Sequence, residues 1–354
     1  MISPQVLQAF GIRQDDFSIE RFGSGHINNT FRLKRKKRGT GFILQRINTH
    51  VFKDPEAIAR NQRLAADYLK KKQPDYFFLA AVSTVDGKDL FEWNGEYWRM
   101  LPFVTHTVAL NEADNPKQAY EAAHQFGKLA ALLSDIDLHG FTATIPNFHN
   151  LTLRYSQFQE AIRKADDDRK EQADELINAF LNQSDIAVSF EALKTDSDFR
   201  DRLMHHDTKI NNVLLDDRTF EGVCVIDLDT MMPGKIISDL GDMVRTYVSP
   251  VSEEEQDFSS IEVREEYYEA LMKGYLSELG NDLTATEKEV LFYAGQFMIY
   301  MQGLRFLSDY LNGDVYYPVK YPGHNLNRAQ NQLTLLQRLN EKEKVLRSII
   351  RDCL

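Results

Sequence analysis

Apolar and polar positions alternate from Phe17 to Ile47, through SIERFGSGHINNTFRL, a polar KRKKRGTG and the apolar FILQRI. Period-two patterning around a glycine-bearing turn predicts two or three antiparallel strands. The basic run Lys34 to Arg38 reads as the solvated turn between them, its charges protecting an edge. Asp54-Pro55-Glu56 then starts a different period. Proline suits the first helical turn and acid suits its positive end, so a helix is predicted through Leu69. FFLAAVS (77–83) and LFEWNGEYWRMLPFV (90–104) predict further strands, with turns at Asp86-Gly87 and Asn94-Gly95. The second turn is a strong hairpin signal because Asn-Gly accepts positive φ at both central positions.

Helical spacing takes over later. Tyr120, Ala123, Phe126, Ala130 and Leu133 recur on one face between Lys117 and Ile136, and 153–181 and 287–311 show comparable periodicity. The join near Leu101 to Thr107 lacks linker composition and reads as a short crossing strand. The expected class is α+β, with a small antiparallel-sheet lobe over residues 1–103 and a mainly helical lobe over 104–354.

Bulk properties narrow the function. The chain has 354 residues, enough for more than one core, and a formal net charge of −11, which argues against a nucleic-acid backbone as main partner. Cys224 and Cys353 are the only cysteines, so no disulfide framework is expected. The first residues lack the basic patch and apolar run of a secretory leader, and no apolar stretch reaches membrane-span length. A cytoplasmic protein with no membrane partner is expected.

The chemistry concentrates in HHDTKINNVLLDDRTFEGVCVIDLDT, from His205 to Thr230. Its apolar runs NVLLD and VCVID flank DRTFEG, the pattern of a hairpin. Such a hairpin would bring His205, Asp207 and Asn212 on one side towards Asp227 and Asp229 on the other. Phosphoryl transfer needs a carboxylate for the attacking hydroxyl, plus an amide oxygen and a second carboxylate for magnesium. Asp207, Asn212 and Asp227 fit those roles in that order. The spacing His205-x-Asp207-x-x-x-x-Asn212 followed by Ile226-Asp227 has the catalytic-loop logic of protein kinases.

These motifs, with Ser238-Asp239-Leu240-Gly241-Asp242, resemble the aminoglycoside phosphotransferase and choline kinase superfamily. The resemblance implies a two-lobed protein-kinase-like fold that uses ATP and Mg2+. More narrowly, GSGHINNTF (23–31), FILQRIN with VFKDPEAI, YWRM (97–100), HHDTKINNVLLD and IDLDTMMPG (226–234) resemble bacterial N-acetylhexosamine 1-kinases. That likeness spans most of the chain. It implies a sugar substrate phosphorylated at its anomeric hydroxyl, with Asp207 catalytic and touching the acceptor. Asn212 and Asp227 would hold the metal, and His205 and Asp239 would brace the loop, Asp239 by accepting backbone hydrogen bonds. Gly23, Ser24 and Gly25 would cover the nucleotide phosphates. Adenine would meet the backbone around Arg99, Leu101 and Phe103. Arg305, Tyr317 and, more weakly, His26 and Asn28 are the sugar-binding candidates.

Several residues keep a plainer alternative. Gln45 and Arg46 stand where a protein kinase has its third-strand lysine, so Arg46 is either a phosphate contact or a solvated strand residue, with Glu56 a helix partner or simply a first-turn acid. Asp229 assists the metal or caps the next turn. Arg305 binds sugar or forms a buried ion pair. His205 and His206 could suggest zinc, although adjacent side chains seldom point the same way. The acceptor could instead be another hexose, homoserine, choline or an aminoglycoside. A nucleotide-binding pseudokinase is the non-enzymatic reading, and the presence of Asp207, Asn212 and Asp227 argues against it.

Overall fold

A computed structural model describes residues 2–23, 27–37 and 39–354. The fold is α+β and protein-kinase-like, with an antiparallel-sheet N-terminal lobe and a mainly helical C-terminal lobe. The chain forms two compact units: the first comprises Met1–Ala109, Leu132–Pro146 and Asn212–Pro233, and the second Leu110–Ala131, Asn147–Asn211 and Gly234–Leu354.

The first unit is built on the alternation seen in the sequence. Strands β1 (Phe17–Arg21), β2 (Asn29–Arg35), β3 (Phe42–Arg46), β4 (Phe91–Trp93) and β5 (Glu96–Pro102) form an antiparallel sheet in the order β1-β2-β3-β5-β4. Leu33, Leu44, Trp98 and Met100 point to one face and pack against Val6, Leu7 and Phe10 of the N-terminal segment. Asn94 (φ 53°) and Gly95 (φ 78°) make the β4–β5 turn, as Asn-Gly predicts. Lys34 to Lys37 are exposed, and Arg38 lies outside the described residues.

Helix α1 (Pro4–Ala9) precedes the sheet, and α2 (Pro55–Lys72) follows β3. The Asp54 carboxylate caps α2 by accepting the Ala57 amide at 3.0 Å, satisfying one of the donors a helix start leaves open. The expected strand 77–83 does not form. Its sole bridge is Val82 to Met100, because β4 already occupies the β5 edge from Glu96 to Trp98.

The crossing strand expected near 101–107 does not form as one: β5 ends at Pro102, 103–106 are irregular, and a two-residue strand follows. β6 (Thr107–Val108) pairs antiparallel with the later hairpin, bringing chain distant in sequence into this unit.

In the second unit, α3 (Pro116–Leu132) is the helix expected from the 117–136 pattern. The single period over 153–181 is two helices, α4 (Leu151–Lys164) and α5 (Asp167–Leu181). They break because Ala165 is extended and Asp166 turns its carboxylate onto the Arg169 amide at 2.8 Å, starting a new helix. Helix α6 (Asp185–Lys194) and strand β7 (Arg202–Met204) lead into the loop that carries His205 to Asn211.

After that loop come α7 (Ile236–Tyr247), α8 (Glu265–Leu279), α9 (Ala285–Glu289), α10 (Leu291–Leu311), α11 (His324–Glu341) and α12 (Glu343–Cys353). Helix α10 is apolar almost all round and packs on α4, α7 and α11, which makes it the axis of this core. Among the described residues no helix is long and apolar enough to cross a membrane.

Candidate active site

Two short strands, β8 (Val213–Asp216) and β9 (Gly222–Val225), make the expected hairpin. Val213 lies opposite Val225, and the ladder continues one step further, the Ile226 amide donating to the Asn212 carbonyl at 2.8 Å. Asn212, just before β8, and Asp227, just after β9, therefore share one mouth of the hairpin. Asn212 is buried, whereas Asp227 is exposed. Asp227 has φ 55° and ψ 55°, the left-handed region that aspartate tolerates better than most residues.

Two residues further on, Asp229 is buried and held by a network of side chains. Its carboxylate is ion-paired with Arg99 of β5 and accepts from Asn28 at 2.7 Å and from Gln62 of α2 at 3.3 Å. Arg99 also donates to Gln45 of β3 at 2.9 Å, and Gln45 to Thr30 of β2 at 3.1 Å. This buried polar network ties three strands and one helix to the turn beside Asp227. The Arg99 side chain is thus committed to this network. Asn28 also accepts the Asn48 amide at 3.0 Å.

Arg46 pairs with Glu96 on β5, both partly exposed, while Glu56 is exposed in the first turn of α2. Gly23 has φ 82° and space around it, as a tight turn requires; Ser24, Gly25 and His26 lie outside the described residues. Leu101 sits on β5 opposite Ile43, and the Phe103 amide donates to the Gly41 carbonyl at 3.1 Å.

In the second unit the loop after β7 hangs from α7. The buried Asp239 carboxylate accepts the His205 amide at 3.0 Å and the His206 amide at 2.7 Å, and Asp242 accepts the Thr208 amide at 2.9 Å. Thr208 and Tyr247 close the attachment, Thr208 Oγ1 donating to the Asp239 carbonyl and Tyr247 OH to the Thr208 carbonyl. The His205 ring accepts the Asp207 amide at 3.2 Å and packs edge-on to Phe126 of α3. Loop backbone and α7 carboxylates together fix the direction of Asp207.

The Asp207 carboxylate, partly buried, lies 3.0 Å from the Lys209 ammonium, whose pKa its charge raises. Burial pushes the Asp239 carboxyl up to about 6, against the pull of His205 and the two amides.

A third group of side chains adjoins this loop. The rings of His206 (φ 68°) and His149 approach through their Nδ1 atoms at 3.4 Å, and Phe148 stacks on His149. Burial, then the charges of His206, Arg305 and Arg154, push the His149 imidazole well below its ordinary value. Arg305 of α10 lies over Phe148, Tyr316 and Tyr317 and donates to Gln302 at 3.1 Å; Gln302 in turn donates to Tyr317 OH at 3.3 Å. No carboxylate pairs with Arg305 among the described residues, so the ion pair considered from the sequence is absent; an amide and three rings stand in its place. Arg305, Tyr316 and Tyr317 line a cavity of about 500 Å³ together with Arg154 and Gln157 of α4 and Asp309 of α10.

The structure therefore gathers the expected residues into three groups: Asn212 with Asp227, His205 and Asp207 with Asp239, and Arg305 with Tyr317. Sequence reasoning missed Gln62, His149, Arg154 and Asp309. Asp309 at least lay in the 287–311 helical pattern; the others carried no local signal.

A model of the "Phosphotransferase enzyme family" matches residues 18–286. Among solved structures, a microcompartment-associated aminopropanol kinase has a TM-score of 0.66 at 15% identity, over 97% of both chains. A spectinomycin phosphotransferase in complex with ADP and spectinomycin has a TM-score of 0.59 at 12% identity, over 93% of both chains. An ethanolamine kinase of Plasmodium vivax has a TM-score of 0.58 at 15% identity, over 99% of this chain and 86% of that one.

Proposed function

The chain belongs to the phosphotransferase enzyme family, and we propose that it transfers the γ-phosphoryl group of ATP to the anomeric hydroxyl of an N-acetylhexosamine, either N-acetylglucosamine or N-acetylgalactosamine. The observation that carries the chemistry is the Ile226–Asn212 backbone bond, which keeps an amide and a carboxylate at one hairpin mouth. Their oxygen donors suit a hard divalent cation that keeps several waters, so Asn212 and Asp227 would hold magnesium. Magnesium, when bound, neutralises charge on the phosphate oxygens. Asp227 is exposed, and its backbone is left-handed.

Asp207 orients the acceptor hydroxyl and takes its proton as the phosphoryl group leaves ATP. Lys209 beside it, 3.0 Å away, supplies the counter-charge to the carboxylate. Gly23 and the residues after it cover the nucleotide phosphates, Arg46 reaches them once it leaves Glu96, and adenine meets the backbone between Leu101 and Phe103. The Phe103 amide already donates to Gly41, and Leu101 is paired with Ile43 in the same antiparallel ladder, which leaves the Pro102 and Phe103 carbonyls for that contact.

The sugar assignment is supported by the sequence likeness to N-acetylhexosamine 1-kinases and by the Arg305–Tyr317 pair lining a cavity of hexose size. Tyrosine faces and guanidinium donors suit a polyol ring bearing an acetamido carbonyl. The test is an acceptor screen with ATP and magnesium, read as ADP release, with phosphorus NMR of the product. An anomeric phosphate on N-acetylglucosamine or N-acetylgalactosamine is expected. Turnover confined to choline, homoserine, an aminoglycoside or an unacetylated hexose would replace the assignment, and no ADP release with any acceptor would remove the kinase reading itself.

A further inference from the structure

Arg154 and Arg305 are two guanidinium groups on one cavity, and neither has a carboxylate at ion-pair distance among the described residues. Arg154 donates to Gln157 at 2.9 Å and to the carbonyls of Asn147 and Phe148 at 3.2 and 3.3 Å, and its Nε is buried without a hydrogen-bond partner. Both acids on the cavity are already engaged. Asp309 accepts three backbone amides and Asn325, and Glu160 is held by Arg163 and Lys164. Burial followed by the charge of Arg305 lowers the Arg154 pKa, as expected of like charges facing one space. The His149 imidazole, pushed well below its ordinary value by burial and by the charges of His206, Arg305 and Arg154, adds no negative charge to offset them.

Such an excess repels an ammonium group and favours a neutral or negatively charged one. We propose that Arg154 and Arg305 set the charge class of the acceptor: the cavity accepts neutral or anionic hydroxyl compounds and rejects those carrying an ammonium group, with Arg154 as the specificity-determining residue. This rests on the reading that the cavity holds the acceptor, and it separates this chain from enzymes whose acceptors are amino alcohols or amino sugars.

Matched pairs that differ only in charge provide the test. N-acetylglucosamine against glucosamine is one pair, and 1,2-propanediol against 1-amino-2-propanol is a second that contains no sugar. For the wild-type enzyme with ATP and magnesium, kcat/KM should favour the neutral member by about tenfold or more, the scale of one unfavourable charge contact. Arg154→Gln should bring the ratio down about tenfold in whichever pair is used, and Arg154→Lys should restore it. Added salt should shrink the wild-type ratio towards that of Arg154→Gln. Dissociation constants from calorimetry give the same ratio without turnover, and a thermal melt of each variant separates selectivity from misfolding.

Preference for the ammonium member, an equal ratio in wild type, or an unchanged ratio in a folded Arg154→Gln overturns the proposal, as does failure of every member to bind. If the propanediol pair obeys the charge rule while neither sugar is used, the charge assignment stands and the N-acetylhexosamine reading falls.

Discussion

The guanidinium of Arg99 and the carboxylate of Asp229 form an ion pair sealed from solvent, their side chains 3% and 2% exposed. It fastens the β5 strand to the turn that carries Asp227, with Gln62 bonded to the same carboxylate. Removing one partner strands a buried charge, so Arg99→Ala or Asp229→Ala should each destabilise the protein by about 3–5 kcal/mol. The double change Arg99→Met with Asp229→Leu should cost much less than the sum, because no lone charge remains. Denaturant unfolding of the four proteins checks this, and additive losses would mean the pair is not coupled.

Asp207→Asn keeps the size of the side chain and the His205 contact to its amide but cannot accept the hydroxyl proton. Turnover should fall by about 10²- to 10⁴-fold while binding of ADP stays as in wild type. Steady-state kinetics with nucleotide titration by calorimetry decides it. Undiminished turnover would take the base away from Asp207.

Asp309 is buried and collects the amides of Val315, Tyr316 and Tyr317 at 3.1, 2.8 and 2.9 Å. One carboxylate therefore shapes the loop that sets Tyr317 beside Arg305. Asp309→Ala leaves those donors unsatisfied and should raise the acceptor KM by about tenfold or more, each lost partner being worth roughly 1–3 kcal/mol. The KM for ATP should stay put. A parallel rise in both constants would point to general loss of structure instead.

The pH response of Asp239 has a definite sign. Its carboxyl is held at about 6 by burial, above its ordinary value of 3.8. A raised acid contributes its stability while protonated and loses it as pH rises through the folded value. Between about pH 4 and 6 the wild type should lose roughly 3 kcal/mol relative to Asp239→Asn, the free energy of a shift of this size in a fully buried group. Above pH 6 the difference should be flat. Chemical denaturation across pH 4 to 8 measures it, and parallel curves for the two proteins would contradict the assignment.

Gly241 of α7 sits where an added Cβ would run into the Ala294 carbonyl of α10. Gly241→Ala should push the two helices apart and lower stability by about 1–3 kcal/mol. Because Asp239 and Asp242 flank it on α7, the same change should also slow turnover. Loss of activity without loss of stability would place the effect elsewhere.

The elements that local chemistry specifies were legible in the chain. The β8–β9 hairpin, the Asn94-Gly95 turn and the Asp54 cap each depend on residues within a few positions, where period and turn preference act directly. The Asp207, Asn212 and Asp227 spacing was visible for the same reason, and the fold class followed from strands early and helices late. Segment 77–83 misled because its strand propensity was real but β4 had already taken the Glu96–Trp98 part of the edge, leaving a single bridge at Met100.

What the sequence settled by itself was the menu: an antiparallel sheet, a helical remainder, and one hairpin loaded with carboxylates and amides. Tertiary structure alone decided that Asp229 would answer Arg99, 130 positions away, and that Arg154 and Arg305 would line one cavity. Pairings of this kind follow from burial and charge compensation in three dimensions, and a one-dimensional pattern holds no trace of which distant group will arrive to satisfy a buried ion.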